Sequence, residues 1–420
     1  MPLTVVFFPE GAYGPTNNCV GIGQVLRAQG ARVVFVVEES FAGTLEGQGF
    51  EEALMRLKPP AAAEEAPGQF WKDFVRETAP EFRKPTIDQL EGFVSPVWQE
   101  LVDGARYVNE RLAEIFAEVK PDVIVEDNVV GFPAVVASGI PWVRIVSCNP
   151  LELKDPALPP TFSGYASDDR SSWEEFRERY RELHEPLQRE FSEFCVESGA
   201  PPLPDGEFIH ESQFLNLYLY PADTDYERTR PLGSQWNRLG SCVRRADPVA
   251  GHLRGPGRAV LYLSLGSLGS ADVGLMQRLI DTLGKTEYSV VVSMGPQHEE
   301  LKLASNMTGE EFLPQPAILP KVDVVITHGG NNTVTESLHF GKPMVVLPLF
   351  WDQHDNAQRM QELGLGRRLD TYRHEPAELI EAIEALLVDP TLPGRLGGIS
   401  GRLQTEPGTV KAAGLIKGLI

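Results

Sequence analysis

The sequence predicts an α/β protein of two successive domains, each built around a parallel β-sheet. Its 420 residues exceed the usual length of one domain. Short apolar runs rich in Val, Ile and Leu alternate with segments of helical periodicity, which is typical of βαβ units. A stretch rich in Pro, Gly, Asp and Arg begins at residue 221 and separates two such series. We place the first domain at residues 1–225, an interdomain linker at 226–257 and the second domain at 258–420.

The first domain opens with an apolar run that lacks the alternation of a half-exposed strand, so we interpret it as a buried parallel strand. A loop is expected at Pro9–Asn18, before the first helix. Similar runs and helical patterns follow as far as residue 220. The predicted strands are Leu3–Phe8, Arg32–Val37, Asp122–Val125, Trp142–Ser147 and Phe214–Tyr220, and the predicted helices are Cys19–Gln29, Val97–Val119 and Ser171–Gly199.

The second domain repeats this pattern, and two of its strands end in turns of small and polar residues. These turns are Leu265–Ser270 and His328–Thr333. Each turn leads into a helix at the carboxyl end of a parallel strand, where free backbone N–H groups bind anions. The predicted strands are Ala259–Ser264, Ser289–Met294, Val322–Thr327 and Met344–Pro348, and the predicted helices are Val334–Phe340 and Pro376–Val388.

The composition excludes several classes of partner and cofactor. The net charge of −21 argues against nucleic acids and anionic membrane surfaces, since both require basic patches. The four cysteines are far apart and form no Cys-x-x-Cys pair, so neither a disulfide framework nor a metal site is expected. No apolar stretch is long enough to span a membrane, and no signal-peptide pattern follows Met1, so we expect a cytoplasmic protein.

The most informative stretch is Val322–Asp370, which reads as strand, polar turn, helix and strand. His328 directly follows the first of these strands and is placed to donate a hydrogen bond to a phosphate. Glu336 lies on the next helix, on the side facing the turn, and suits a ribose diol. Asp352 and Gln353 follow the second strand and have the donors and acceptors that sugar hydroxyls need.

Two segments of this stretch resemble the donor-binding signature of family 1 glycosyltransferases. Residues 328–336, HGGNNTVTE, are similar to the plant form His-Cys-Gly-Trp-Asn-Ser-x-x-Glu. Residues 350–357, FWDQHDNA, are similar to the Asp-Gln-x-x-Asn-Ala of animal and bacterial members. The likeness is to bacterial enzymes that glycosylate small molecules such as macrolides. It implies the GT-B architecture, in which two Rossmann-like domains face each other across a cleft.

The resemblance also implies a reaction. It is an inverting transfer of a sugar from a UDP-sugar, with UDP-glucose expected, to a hydroxyl of a small lipophilic or phenolic acceptor. The donor is a co-substrate, and neither a metal nor another cofactor is expected. The expected partners are therefore the acceptor and the nucleotide sugar, with no nucleic acid and no membrane insertion. The oligomeric state is expected to be a monomer or a homodimer.

The predicted donor-binding residues lie in the second domain. Besides the two segments above, the resemblance brings in the Ser-x-Gly-Ser-like turn after residue 264 and the segment before the signature, which borders the nucleobase in this family. The predicted donor-binding residues are Gly266, Ser267, Phe312, Leu313, Gln315, Ile318, His328, Gly330, Asn331, Asn332, Thr333, Glu336, Trp351, Asp352 and Gln353.

The catalytic base departs from the family pattern. Most members carry a Gly-His pair after the first strand, and an Asp of the same domain orients that His. Here the pair is Gly14-Pro15, and proline cannot accept a proton. Asp127 stands where the orienting Asp is expected. Three hypotheses follow, in this order: Asp127 is itself the base, with a pKa raised by burial; Glu10 replaces the His; or the acceptor is acidic enough to need little help.

The acceptor site is predicted less directly. Tyr13 and Asn17 lie in the first loop, where Asn17 could orient the acceptor, although its position favours capping of the following helix. Phe70, Trp71 and Phe74 belong to an aromatic insertion that either packs internally or lines an apolar acceptor pocket.

Two other functions remain open from the sequence. Loss of the usual base with an intact donor signature is compatible with a non-catalytic nucleotide-sugar-binding protein. A GT-B epimerase would need catalytic acids in the cleft instead of an acceptor pocket, and the aromatic insertion argues against it.

Overall fold

The computed structural model describes residues 2–11, 13–59, 73, 76–247 and 258–420. Two parallel sheets form the frame of the protein. The first has the strand order β3-β2-β1-β4-β5-β6-β7 and the second the order β10-β9-β8-β11-β12-β13. The strands of the first sheet are β1 Thr4–Pro9, β2 Arg32–Glu38, β3 Glu51–Met55, β4 Val123–Asp127, β5 Trp142–Val146, β6 Leu215–Tyr218 and β7 Trp236–Arg238. Those of the second are β8 Val260–Ser264, β9 Ser289–Ser293, β10 Met307–Glu310, β11 Val324–Thr327, β12 Met344–Val346 and β13 Gly366–Arg368.

Helices connect the strands and cover both faces of each sheet. The described helices of nine or more residues are α1 Tyr13–Ala28, α2 Ser95–Val119, α3 Trp173–Glu197, α4 Val273–Leu283, α5 Asn331–His339, α6 Gln353–Glu362, α7 Pro376–Val388, α8 Leu392–Thr405 and α9 Gly408–Lys417. Shorter α- and π-helical segments are Thr86–Gln89, the π-helical Leu90–Val94, Pro133–Val136, Gly266–Gly269 and Gln315–Ile318, and 3-10 helices cover Glu39–Phe41, Glu46–Gln48, Glu81–Arg83, Pro150–Glu152, His298–Glu300 and Leu319–Lys321.

The central strands of both sheets match the predicted apolar runs, because strands covered on both faces consist almost entirely of buried Val, Ile, Leu and Phe. Four strands were not predicted: β3, β7, β10 and β13. They are short, lie at or next to the sheet edges and carry polar residues, as in Trp236–Arg238, so they lack an apolar signature. Because β7 pairs with β6, the first sheet extends to residue 238, beyond the predicted domain boundary at 225.

The first helix also differs from the prediction. It begins at Tyr13 rather than at Cys19, so the segment expected to be a loop forms its first turns. Pro15 is the third residue of α1, a position where a missing backbone N–H costs nothing. Asn17 therefore lies inside the helix and does not cap it. The buried Asn18 donates instead to the Ser147 hydroxyl, 3.1 Å away.

The chain ends by returning to the first domain. Ala412, Ala413 and Ile416 of α9 are buried in the apolar cluster that α1 forms with the first sheet. The C-terminal helix therefore belongs structurally to the first domain, although it follows the second in sequence. In the described part of the chain, we find no helix with the length and apolar character needed to cross a lipid bilayer.

We predict that Gly408→Ala destabilises the fold. Gly408 is the first residue of α9, and a Cβ there would overlap the backbone carbonyl oxygens of Leu239 and Ser241. Relieving such a clash with backbone typically costs about 1–3 kcal/mol. The measurement is the midpoint of urea unfolding.

Gly414→Ala is the matched control for that substitution. Gly414 lies in the same helix with no atom within 4 Å of an added Cβ, so alanine should be neutral or stabilising there, by up to about 1 kcal/mol. Equal unfolding midpoints for the two variants would contradict the docking of α9 on the first domain.

Candidate active site

Two glycine-rich turns meet at the carboxyl edge of the second sheet. Strands β8 and β11 are parallel neighbours, with Ser264 opposite Thr327, so the turns that follow them lie side by side. The His328 imidazole fills the space between them: a Cβ on Gly266 would lie 2.7 Å from its Cε1 atom, and a Cβ on Gly330 would lie 2.7 Å from its Nε2 atom. Gly266 also has a φ of 70°, which other residues rarely adopt. Both glycines are therefore required for the ring to occupy this place.

The His328 ring is neutral at physiological pH. Burial lowers the pKa of His328 to about 4, and a hydrogen bond to the Ser264 backbone only partly opposes this shift. The side chain therefore contributes a directional hydrogen-bonding group rather than a fixed positive charge. Stabilisation of an anion in this turn depends on backbone N–H groups and the start of α5.

Helix α5 begins at Asn331, directly after Gly330, so its residues Asn331–Thr333 form the first helical turn rather than a cap. Asn331 binds the other domain: its Nδ2 donates to the backbone oxygens of Ser147 at 2.9 Å and Leu219 at 3.0 Å. Gly14 of α1 approaches Asn332, with 3.9 Å between an added Cβ and the Asn332 Cβ. The N-terminal ends of α1 and α5 thus face each other across the cleft.

The Glu336 carboxylate, expected to bind ribose, is buried and already has partners. Its Oε1 accepts from Arg244 Nη1 at 2.9 Å, and its Oε2 accepts from Gln315 Nε2 at 2.7 Å. The Gln315 side chain is held in turn by Thr333 and Tyr262. Burial raises the pKa of Glu336, and the Arg244 charge opposes that shift. Arg244 was not among the predicted residues.

The Asp352–Gln353 pair, expected to read the sugar, makes hydrogen bonds within the protein. Asp352 Oδ2 accepts from the Asn149 backbone N–H at 2.8 Å, across the domain boundary. Gln353 Oε1 accepts from the backbone N–H groups of Leu349 at 3.0 Å and Phe350 at 3.3 Å. Both side chains thus fix the loop between β12 and α6.

The residues expected around the nucleobase differ in how deeply they are buried. Phe312 is exposed, and its ring lies 5.6 Å from that of Tyr13, so these two predicted residues meet across the cleft. Leu313 is partly buried against the main core. Ile318 is fully buried in that core, and its predicted contact with the donor stays a prediction.

Two carboxylates lie side by side at the carboxyl edge of the first sheet. Strands β1 and β4 are parallel neighbours, and the Glu10 backbone N–H donates to the Asp127 carbonyl at 2.8 Å. Asp127 is buried, and its Oδ2 accepts from the Ser147 hydroxyl at 2.6 Å and from the Cys19 thiol at 3.9 Å. Glu10 is only partly buried. Among the described residues, no hydrogen-bond donor to its carboxylate is found.

Both carboxyl groups hold protons more tightly than usual. Burial raises the pKa of Asp127 to about 8; the Ser147 hydrogen bond opposes the shift and the Glu10 charge adds to it. Burial also raises the pKa of Glu10 to about 7, with additional repulsion from Glu152 and Asp352. Because Asp352 belongs to the second domain, Glu10 faces the cleft. A proton-accepting site with a pKa near neutrality results.

An aromatic-lined pocket adjoins these carboxylates. Its lining includes Glu152, whose charge reaches Glu10 and Asp127, together with Trp98, Phe162, Tyr180 and Phe208. The Trp98 and Phe208 rings stack at 4.3 Å. The sequence did not indicate these aromatic residues, because they come from segments that are far apart in the chain. Predicted residues Phe70, Trp71 and Phe74 lie outside the described residues.

The second domain extends this aromatic cluster. Trp351 has a φ of 56°, and its ring lies 4.1 Å from that of Phe162 and 5.3 Å from that of Trp98. Trp351, predicted to bind the donor, thus reaches the aromatic pocket of the first domain. Across the described residues, no group of three or more His, Cys, Asp or Glu side chains has the geometry of a metal site.

Comparisons with known proteins agree with this arrangement. Residues 230–394 match the family described as UDP-glucoronosyl and UDP-glucosyl transferase. Oleandomycin glycosyltransferase of Streptomyces antibioticus is 25% identical over 422 residues, covering 99% of this chain and 90% of the relative. NDP-glycosyltransferase YjiC of Bacillus licheniformis is 23% identical over 444 residues, covering 99% and 97%.

Solved structures show the same fold. The glycotransferase of kitacinnamycin superposes with a TM-score of 0.71 at 23% identity, covering 100% of this chain and 99% of that one. Glycosyltransferase VinC, solved in complex with DTDP, gives a TM-score of 0.67 at 17% identity, covering 99% of both chains. The predicted GT-B fold and the resemblance to family 1 glycosyltransferases are confirmed, and the chain is a glycosyltransferase.

An arginine of α6 holds the two domains together at the edge of this site. Arg359 donates from Nε to the Thr224 carbonyl at 2.8 Å and from Nη2 to the Asp225 carbonyl at 2.6 Å. Its guanidinium also lies 4.4 Å from the centre of the Tyr226 ring. We predict that Arg359→Gln lowers the free energy of unfolding by about 1.5–3 kcal/mol, the usual contribution of hydrogen bonds to a charged group.

Arg367→Gln is the control, because it removes the same charge from an exposed residue of β13. It should change the free energy of unfolding by less than about 0.5 kcal/mol. Urea unfolding of both variants provides the comparison. Similar losses in the two variants would show that Arg359 acts through net charge and not through the interdomain contacts.

Proposed function

We propose that this glycosyltransferase transfers a sugar, with inversion, from a UDP-sugar to a hydroxyl of a small lipophilic or phenolic acceptor without a metal. The observation that carries the proposal is that the carboxyl edges of the two sheets face each other across one cleft. An anion-binding turn around His328 faces the Glu10–Asp127 carboxyl pair. One edge suits a leaving diphosphate and the other suits deprotonation of an acceptor.

In the second domain, backbone dipoles stabilise the negative charge on the leaving diphosphate. Free N–H groups at the start of α5 and in the Gly266–Ser267 turn point to the carboxyl edge of the sheet, where they stabilise an anion without a cation. We choose UDP as the nucleotide because Glu336 lies where it can accept from both ribose hydroxyls. Glucose is the proposed sugar, as expected from the family resemblance.

The proposed acceptor class rests on the family resemblance and on the named relatives, and an aromatic cluster adjoins the carboxylates. Trp98, Phe162, Tyr180 and Phe208 lie next to Glu152, around a cavity of only about 20 Å³. Trp98 stacks on Phe208, and Phe162 packs against Trp351. We propose that a lipophilic acceptor separates these rings and packs between them, with its hydroxyl towards the carboxylates. Relatives named for a macrolide, oleandomycin, and for a carotenoid, zeaxanthin, support an acceptor of this kind.

We propose Glu10 as the group that takes the acceptor proton, with Asp127 as its partner. The sequence favoured the reverse order. Asp127 is only 2% exposed and Ser147 holds one of its oxygens, whereas Glu10 is more accessible and faces the cleft. Two adjacent carboxyl groups do not ionise independently: the negative charge on Glu10 raises the pKa of Asp127, so Glu10 loses its proton first.

The pH dependence of turnover tests this assignment. The base must be deprotonated, and Glu10 is largely protonated below its pKa of about 7, so kcat/KM should rise between about pH 6 and pH 8. Glu10→Gln should lower kcat/KM by about 10²–10⁴-fold and abolish this limb. Asp127→Asn should retain more activity and leave the limb at nearly the same pH, because burial keeps Asp127 mostly protonated where Glu10 titrates.

Other outcomes have clear meanings. If Asp127→Asn is inactive and Glu10→Gln is not, Asp127 is the base. If both variants turn over normally, the acceptor ionises without a base.

The reaction itself is tested by a mass-spectrometric screen of phenolic, polyketide and steroid acceptors with UDP-glucose and dTDP-glucose. We expect products with UDP-glucose that gain one hexose, and undiminished yield in EDTA. Release of UDP that is unchanged by every acceptor would argue against transfer. Products from dTDP-glucose alone would replace the proposed nucleotide and leave the reaction class intact.

A further inference from the structure

The Glu336 carboxylate has one partner that does not belong to the donor-binding domain. Gln315, which donates to Glu336, comes from the segment before β11. Asn332, whose Nδ2 lies 3.5 Å from Glu336 Oε1, comes from α5. Arg244 comes instead from the segment that joins the two sheets. Its side chain is 17% exposed and that of Glu336 only 2%, so the guanidinium covers the carboxylate.

The segment that carries Arg244 is attached to the first domain. The Arg245 backbone N–H donates to Gln24 Oε1 at 2.9 Å, and Gln24 Nε2 donates back to the Arg245 carbonyl at 3.5 Å. An added Cβ on Gly21 would lie 3.3 Å from the Arg244 nitrogen. Segment 241–247 therefore packs along α1 and holds Arg244 against the second domain.

A ribose diol and Arg244 need the same atoms. Each ribose hydroxyl donates to a carboxylate oxygen, and both Glu336 oxygens already accept from side chains. The Gln315 side chain is also hydrogen-bonded to the hydroxyls of Thr333 and Tyr262, so its displacement from Glu336 would break further hydrogen bonds. Arg244 is the partially exposed partner, and its removal opens the carboxylate to the cleft.

We propose that Arg244 covers the ribose position at Glu336 and that the donor nucleotide binds by displacing it from this carboxylate. This inference rests on the proposed function, since it assumes that the nucleotide binds at Glu336. Arg244 then lowers the apparent donor affinity, because each binding event must first break an ion pair. It acts on binding and not on the chemical step.

The test is calorimetric titration of UDP into the wild type, Arg244→Gln and Arg245→Gln. Arg244→Gln should bind UDP roughly threefold to tenfold more tightly, as expected when a partly exposed ion pair no longer competes. Arg245→Gln removes the same charge from the neighbouring residue, whose hydrogen bonds to Gln24 use only its backbone, and should match the wild type. The advantage of Arg244→Gln should shrink as salt weakens the ion pair in the wild type.

A second pair of proteins separates competition from a change in folding. In the Glu336→Gln background the ion pair is already lost, so adding Arg244→Gln should give no further gain in UDP affinity. An equal gain in both backgrounds overturns the inference, as does weaker or unchanged UDP binding by Arg244→Gln alone. If none of these proteins binds UDP or dTDP, the proposed function fails as well, which is a different result from equal binding by all.

Discussion

The structure depends on direct hydrogen bonding between the carboxyl edges of its two sheets. Asn149 of the first domain donates to Asp352 from its backbone and to Asn356 from its side chain, each at 2.8 Å. In the opposite direction, Asn331 of the second domain donates two hydrogen bonds to backbone oxygens of the first domain. These polar groups are buried, so each would be costly if its partner moved away. They fix the distance between the anion-binding turn and the carboxyl pair on which the proposed chemistry relies.

These contacts between the domains give the residues of the donor-binding signature a structural role as well. Asp352, Gln353 and Trp351 belong to a motif whose resemblance implies sugar binding. Here Gln353 accepts from backbone N–H groups of its own domain, whereas Asp352 and Trp351 make contacts between the domains. The same is true of Glu336 and Arg244. A ligand entering this cleft must exchange hydrogen bonds with the protein rather than fill an open space. Net donor affinity is therefore a difference between two sets of contacts.

The sequence predicted the parts of the fold that depend on local pattern. Buried central strands such as β1 and β11 are continuous apolar runs, and α2 and α3 have strong helical periodicity, so their positions were close to those observed. Edge strand β7 has no such pattern, and Pro15 suggested a loop where it lies in the first turn of a helix. The Arg244–Glu336 pair joins residues 92 positions apart, and no periodicity indicates a contact of that kind.

The proposed account is a single displacement in which a carboxylate deprotonates the acceptor on the face of the sugar opposite the diphosphate. Its most direct test is the anomeric configuration of the product formed from UDP-α-glucose, measured by proton NMR. The account predicts a β-glucoside, with the large coupling constant of a diaxial H1–H2 pair. An α-glucoside would contradict the single displacement and the opposed placement of base and leaving group.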